Sequence, residues 1–338
     1  MVKNKKIRIL DPFLSILLLL LLIGLFGGSL WNGDRVGYEG FYNTRLVISQ
    51  WGTEIGYGVL NIIFHKMGFS YQHFQIFISV VSMSLVFRYL SRVSRVLFVS
   101  IIFYAVLMLP LDYVLIRTTI AYAIVLNALL FLYENKKVEF FILVVVAFTF
   151  HQSSLIFAFL VFLPKDFKNV KLNRYMMISI SLILFLIFFR YSNLLPSSIS
   201  EHLSYYKPSV KNIIFSVFLH LLSVVLIVYD TNIRGRDNES KSYEKYINFI
   251  KAINILSLLI IPLYFQADIF VRNFRFFVFV NIIYLVQVAL ATKRISLYAI
   301  SYVFMFSIYL FFYYIYLTAN YSINPMIESN FLYDYLIG

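Results

Sequence analysis

No cysteine occurs in the chain, which excludes disulfides, thiolate metal sites and a cysteine nucleophile. Charge is scarce too: Asp, Glu, Lys and Arg make up 13% of 338 residues, about half the share of an ordinary soluble domain. The 7 prolines and 12 glycines are too few and scattered to build a flexible linker, so the chain reads as one domain. The few acids stand apart, with no Asp-x-Asp or Glu-x-Asp triplet and no histidine pair at ligand spacing, so no bound metal is expected. Neither the glycine-rich dinucleotide fingerprint nor a P-loop occurs, which disfavours direct use of a nucleotide and leaves no cofactor implied.

What is abundant is hydrocarbon, with 61% of residues hydrophobic. Runs such as Pro12 to Phe26, Phe141 to Phe150 and Ile300 to Leu317 carry no charged side chain. Crossing about 30 Å of hydrocarbon takes about 20 such residues in a helix, so lipid is the solvent. The net charge of +13 does not point to nucleic acid. Its Lys and Arg fall in short clusters between apolar runs, as the positive-inside bias of membrane proteins requires. Lys3 to Arg8, the apolar run and then Gly27, Gly28 and Ser29 have the outline of a signal peptide. The run reaches bilayer length, however, so an uncleaved first span is expected.

With the N-terminus inside, nine spans are expected, at about 10–29, 72–90, 95–110, 117–133, 175–192, 212–229, 247–266, 274–291 and 296–318. This is an all-α polytopic protein of the cytoplasmic membrane, a single domain 1–338 with its C-terminus outside. The cytoplasmic connections then hold Arg88, Arg92 and Arg95; Lys136 and Lys137; Lys165, Lys168, Lys171 and Arg174; Arg234, Arg236, Lys241 and Lys245; and Lys293 with Arg294. Phe140 to Leu163 is long enough to cross, but crossing would put the Lys165 to Arg174 loop outside. Its centre reads Thr149-Phe150-His151-Gln152-Ser153-Ser154, a polar break between two halves each too short to span. A re-entrant hairpin at 140–163 resolves the conflict and carries His151 into a polar cavity. The loop 30–71 is expected to be extracytoplasmic, with an interfacial or re-entrant helix over Gly56 to Ser70.

Candidate chemistry gathers on the outer side. Arg117, Arg272 and Arg275 stand near the outer ends of spans, a pattern that suits a phosphate or diphosphate, although arginines there also snorkel to lipid headgroups. Lys207, Lys211, Asp112 and Asp268 fall on the same side. His151 at the polar break suits a base or hydrogen-bond donor, or simply a bond to a neighbouring helix. Asp34, Tyr38 and Tyr42 are four apart, so in a helix they share one face. Their rings could stack on sugars, or could reflect the enrichment of Tyr at membrane interfaces. Glu54, just before Gly56 and Tyr57, could deprotonate a hydroxyl or cap a helix.

These residues carry a resemblance. Asp34 with Tyr38 and Tyr42, Glu54-Ile55-Gly56-Tyr57, Ile116-Arg117-Thr118-Thr119-Ile120-Ala121 and Phe150-His151-Gln152-Ser153-Ser154-Leu155 resemble elements of the EpsG/Wzy-like polysaccharide polymerases. Thr118 departs from the commoner pattern, which has Gln there. The resemblance implies a fold like that of the lipid-linked (GT-C-type) membrane glycosyltransferases. It also implies an activity: joining oligosaccharide repeat units carried on undecaprenyl diphosphate at the outer face of the membrane, to extend O-antigen, capsule or exopolysaccharide. Arg117, Arg272 and Arg275 would then stabilise the diphosphate leaving group, while His151, Asp34 or Glu54 takes the acceptor proton. The implied partners are the lipid-linked glycan, membrane lipid, a chain-length regulator and a flippase. Rival readings are a flippase or transporter of lipid-linked oligosaccharide, a membrane glycosyltransferase using a polyprenyl-phosphate-linked sugar, and an O-acetyltransferase of surface sugars, which would need a clearer His and acid arrangement.

Overall fold

A computed structural model describes residues 10–46, 48–49, 52, 54–191, 209–234, 241–266, 270–292, 296–312 and 320–331. Lys207, Asp268, Arg236, Lys293, Arg294 and the basic stretch Lys3 to Arg8 lie outside the described residues. The described residues form helices and no strand, in the order α1 (Leu10–Gly27), α2 (Arg35–Thr44), α3 (Ile55–Lys66), α4 (Tyr71–Val93), α5 (Leu97–Leu107), α6 (Leu109–Asp112), α7 (Ile116–Tyr133) and α8 (Lys137–Phe150). A 3-10 helix (Gln152–Phe162) and α9 (Leu172–Tyr191) follow, then α10 (Val210–Arg234) and α11 (Lys241–Ser257). Another 3-10 helix (Leu258–Phe265), α12 (Val271–Thr292), α13 (Leu297–Leu310) and α14 (Ile323–Glu328) complete the order.

Each of the nine segments expected to cross the membrane is helical over most of its described length. Among the described residues, five helical stretches are long and apolar enough to cross: Tyr71–Val93, Ile116–Tyr133, Val210–Arg234, Tyr243–Phe265 and Val271–Leu290. The others, such as Asp11–Gly27 and Leu97–Leu107, are apolar but shorter. Helix is forced by the solvent, because a backbone amide in hydrocarbon has no water to bond and must be satisfied within its own segment. The chain is thus a multi-pass membrane protein.

The chain divides into two compact units, Met1–Val161 with Met305–Gly338, and Phe162–Phe304. In the first, helix ends are tied by side chains rather than by long loops. Asp11 at the start of α1 accepts from the backbone N–H groups of Leu97 and Phe98, which open α5 (3.3 and 3.2 Å). A carboxylate there satisfies two orphan donors and complements the helix dipole. Ser70 and His73 form a reciprocal capping box at the start of α4. Arg35, buried, donates to the Ser29 carbonyl (2.7 Å) and to Gln72 Oε1 (2.8 Å), while Gln75 donates to the Phe26 carbonyl (3.0 Å). The end of α1 is thereby bound to the start of α4. Between α4 and α7, Asn127 donates to the Leu85 carbonyl (2.8 Å) and accepts from Arg88 (3.1 Å).

α3 lies against α8 through Gly56. A Cβ there would fall on the Thr149 hydroxyl and stand 3.0 Å from Thr149 Cβ and 3.1 Å from its carbonyl oxygen. Small residues at such crossings let backbones approach where no hydrophobic drive operates between helices. At Phe150 the α-helix stops. His151 is extended (φ −155°, ψ 120°), and the chain resumes as a 3-10 helix, so the polar break is a real interruption.

The second unit buries a polar seam. His220 on α10 bonds Tyr264 Oη through Nδ1 and Ser257 Oγ through Nε2, both at 2.8 Å. Asn254 and Asn281 exchange amide bonds at 2.7 Å, and Asn281 also donates to Tyr302 (2.8 Å). Asp230 and Arg234, one turn apart on α10, pair at 2.9 Å. Such groups are tolerated in a buried interior because they bond one another.

The Gly56 crossing has a direct test. Gly56→Val is expected to lower the unfolding midpoint of the detergent-solubilised protein, in line with the roughly 1–3 kcal/mol cost of overpacking. Gly37→Ala on α2, where nothing lies within 4 Å of the added Cβ, leaves it unchanged or slightly higher.

Candidate active site

Three helix ends meet in the first unit. Glu54 precedes α3 in the N-cap position, Arg117 is the second residue of α7, and His151 is the C-cap of α8. Glu54 does not cap its own helix with its side chain. Its carboxylate, 3% exposed as a residue, turns inward. One oxygen accepts from Arg117 Nη1. The other lies 2.8 Å from His151 Nδ1 and accepts from the Gln152 backbone N–H at 3.3 Å. Glu54 thus makes no side-chain cap of α3, and His151 bonds the residue that opens this neighbouring helix.

Arg117 is also held by a second group. Its Nε donates to Tyr38 Oη at 3.3 Å, and the guanidinium lies over the Tyr38 ring, 5.5 Å from the centroid. Tyr38 packs edge-on against Tyr57 (6.1 Å between centroids), which is fully buried. The side chain of Arg117 is 19% exposed, so it is built into the protein rather than extended to a lipid headgroup.

Electrostatics follow from this geometry. Burial pushes the Glu54 carboxyl up, but the His151 hydrogen bond, the Arg117 charge and the Gln152 amide together hold it below the usual carboxylate range. The N-terminus of α3 adds a partial positive charge beside the Glu54 carboxylate. With Nδ1–H donated to Glu54, the imidazole keeps a lone pair on Nε2, the arrangement a general base needs. Arg117 is a cation on the second residue of α7, where the helix dipole is also positive, chemistry that suits an anionic group.

The remaining expected site residues are distributed unevenly. Asp34 is exposed at the start of α2, one turn before Tyr38. Tyr42 is interior: its hydroxyl donates to the Phe69 carbonyl (2.8 Å), and its ring packs edge-on against His65 and Tyr71. Asp112, also placed on the outer side by the sequence, accepts from Tyr104 Oη (2.7 Å). Arg272 and Arg275 belong to the second unit, at the start of α12, where Arg272 is half-buried and Arg275 fully buried. Three contributors were missed as site residues: the Gln152 amide, the Tyr57 ring and the small Gly56. Gly56 had a visible signal, a glycine within a helical stretch two residues from a buried acid, but its partner Thr149 lies 93 positions on.

The EpsG family's sequence model matches residues 10–335, essentially the whole chain. No curated protein and no solved structure matches it. On that match the chain belongs to the EpsG family, a family of Wzy-like polysaccharide polymerases.

Proposed function

We propose that the chain joins oligosaccharide repeat units carried on undecaprenyl diphosphate into a surface polysaccharide at the outer face of the cytoplasmic membrane. The observation that carries this reading is the Glu54 carboxylate shared between His151 and Arg117. One carboxylate thereby couples a base to a cation that suits phosphate. In this reading His151 Nε2 takes the proton of the acceptor hydroxyl, and Glu54 orients the ring and stabilises the imidazolium that forms. The acceptor oxygen bonds to the anomeric carbon of the donor. The bond from that carbon to the diphosphate oxygen breaks, and its electron pair leaves with the diphosphate. Arg117 stabilises that developing charge. The activated leaving group arrives with the lipid, so the step as drawn calls on no nucleotide.

Arg272 and Arg275 keep the role of phosphate ligands in this reading on their charge and place at the start of α12. Asp34 and Tyr38 border the Glu54 cluster along α2 as candidate sugar contacts, and Tyr42 supports the same helix from within. The topology proposed with it has nine crossings, N-terminus inside and C-terminus outside, with 30–71 outside and 140–163 re-entrant. The interruption at His151 and the placement of the basic clusters support it. A flippase and a chain-length regulator are the partners such a reaction would work beside.

Deletion of the gene, complemented at matched membrane abundance, tests the reaction. Single repeat units are expected on deletion. His151→Ala and Glu54→Gln should lower chain extension by roughly 10²–10⁴, the usual worth of a general base. Arg117→Lys should remain defective, because an ammonium cannot hold Tyr38 and Glu54 in one plane. Long chains from His151→Ala at normal abundance would overturn the assignment of the base.

A second measurement concerns acid. A carboxyl held below its unfolded value contributes stability above that value and loses it as pH falls through the folded one. The unfolding midpoint of the wild type should therefore fall on acidification through the carboxylate range more steeply than that of Glu54→Gln, which has no proton to take up.

A further inference from the structure

A cavity of about 370 Å³ opens in the second unit between the loop before α9, the end of α10 and the middle of α11. Its size is that of a small-molecule site. Val170, Leu172, Val228 and Ile255 give it hydrocarbon walls, and Lys251 and Asn232 give it a polar corner. Lys251 is half-buried and donates one hydrogen bond, to Asn232 Oδ1 at 2.6 Å. An ammonium carries three donors, so hydrogens remain for a ligand. Among the described residues, no carboxylate lines the cavity.

The mouth is basic. Lys171 is exposed and sits in the chain between two lining residues, Val170 and Leu172. The loop that carries it is pinned to the start of α11. Phe167 packs on Phe249 (5.1 Å), Lys245 Nζ lies 5.9 Å from the Phe167 ring centroid, and Lys168 pairs with Glu244 at 2.9 Å. Beside the cavity, α10 exposes Val225, Tyr229 and Ile233, and both α10 and the stretch Tyr243–Phe265 are long and apolar enough to cross a membrane. The cavity thus joins hydrocarbon walls to a lysine corner beside an exposed apolar helix face.

We propose that this cavity is a binding site for an anionic phospholipid, with one acyl chain against Val170, Leu172, Val228 and Ile255 and the headgroup phosphate on Lys251 and Lys171. A free inorganic anion would leave the hydrocarbon walls without a partner. A zwitterionic headgroup would bring its own cation to a corner already held by lysine. Basic pockets between membrane helices select anionic headgroups for this reason. The site is independent of the Glu54 cluster and of the reaction proposed for it.

Native mass spectrometry of the full-length, detergent-solubilised protein with added phosphatidylglycerol or phosphatidylcholine tests the site. Wild type is expected to retain phosphatidylglycerol in preference to phosphatidylcholine. Lys251→Met should weaken that retention roughly fivefold, the worth of one cation near a lipid headgroup, and Lys251→Arg should keep it. Val170→Trp leaves every charge in place and fills the cavity, so it should lose retention too, whereas Lys211→Met, on the exposed start of α10, should not. Undiminished retention by Lys251→Met or Val170→Trp, equal retention of both lipids, or displacement by an equal concentration of inorganic phosphate would each overturn the proposal.

Discussion

The Glu54 carboxylate sits almost without water, and an anion so placed persists only if it is paired and hydrogen-bonded. Arg117, His151 and the Gln152 amide supply those partners from segments 63, 97 and 98 residues away. The backbone must therefore come close enough for three helix ends to share one carboxylate. Gly56 makes that possible by letting α3 lie on Thr149 of α8, two residues before His151 and two after Glu54. Removing one partner of such a buried pair costs about 3–5 kcal/mol, because the other is left uncompensated.

A comparable constraint shapes the second unit with different chemistry. Its buried Asn, Ser, Tyr and His side chains satisfy one another in pairs and threes, and Asp230 is matched by Arg234. Association between helices in lipid gains little from the hydrophobic effect, so register is specified by such bonds and by close packing. The Lys251 corner differs in kind. It keeps a cation beside hydrocarbon with a single side-chain acceptor, which is why a lipid headgroup suits it.

The helix breaks also have one physical origin. A polar stretch within an apolar run cannot continue as a lipid-facing helix without exposing its side chains, and the chain gives up α-helix at His151, where the His151 and Gln152 amides bond the Ala147 carbonyl and the Glu54 carboxylate. The capping of α4 by Ser70 and of α5 by Asp11 does the same work at helix ends, giving orphan amides a partner that lipid cannot supply.

By itself the sequence determined the solvent, the helical class, the approximate helical segments and the residue types able to carry phosphate and proton chemistry. Each of these follows from local composition and from spacing along one helix. It also marked Glu54, Arg117 and His151, because a charge or imidazole in so apolar a chain costs energy wherever it stands. Their union on one carboxylate, the interior role of Tyr42, the burial of Arg275 and the cavity at Lys251 were decided only by tertiary structure. Helical periodicity relates residues three or four apart. A contact between positions 54 and 151 depends on how closely two helices approach, and that distance is set by the absence of a side chain at Gly56.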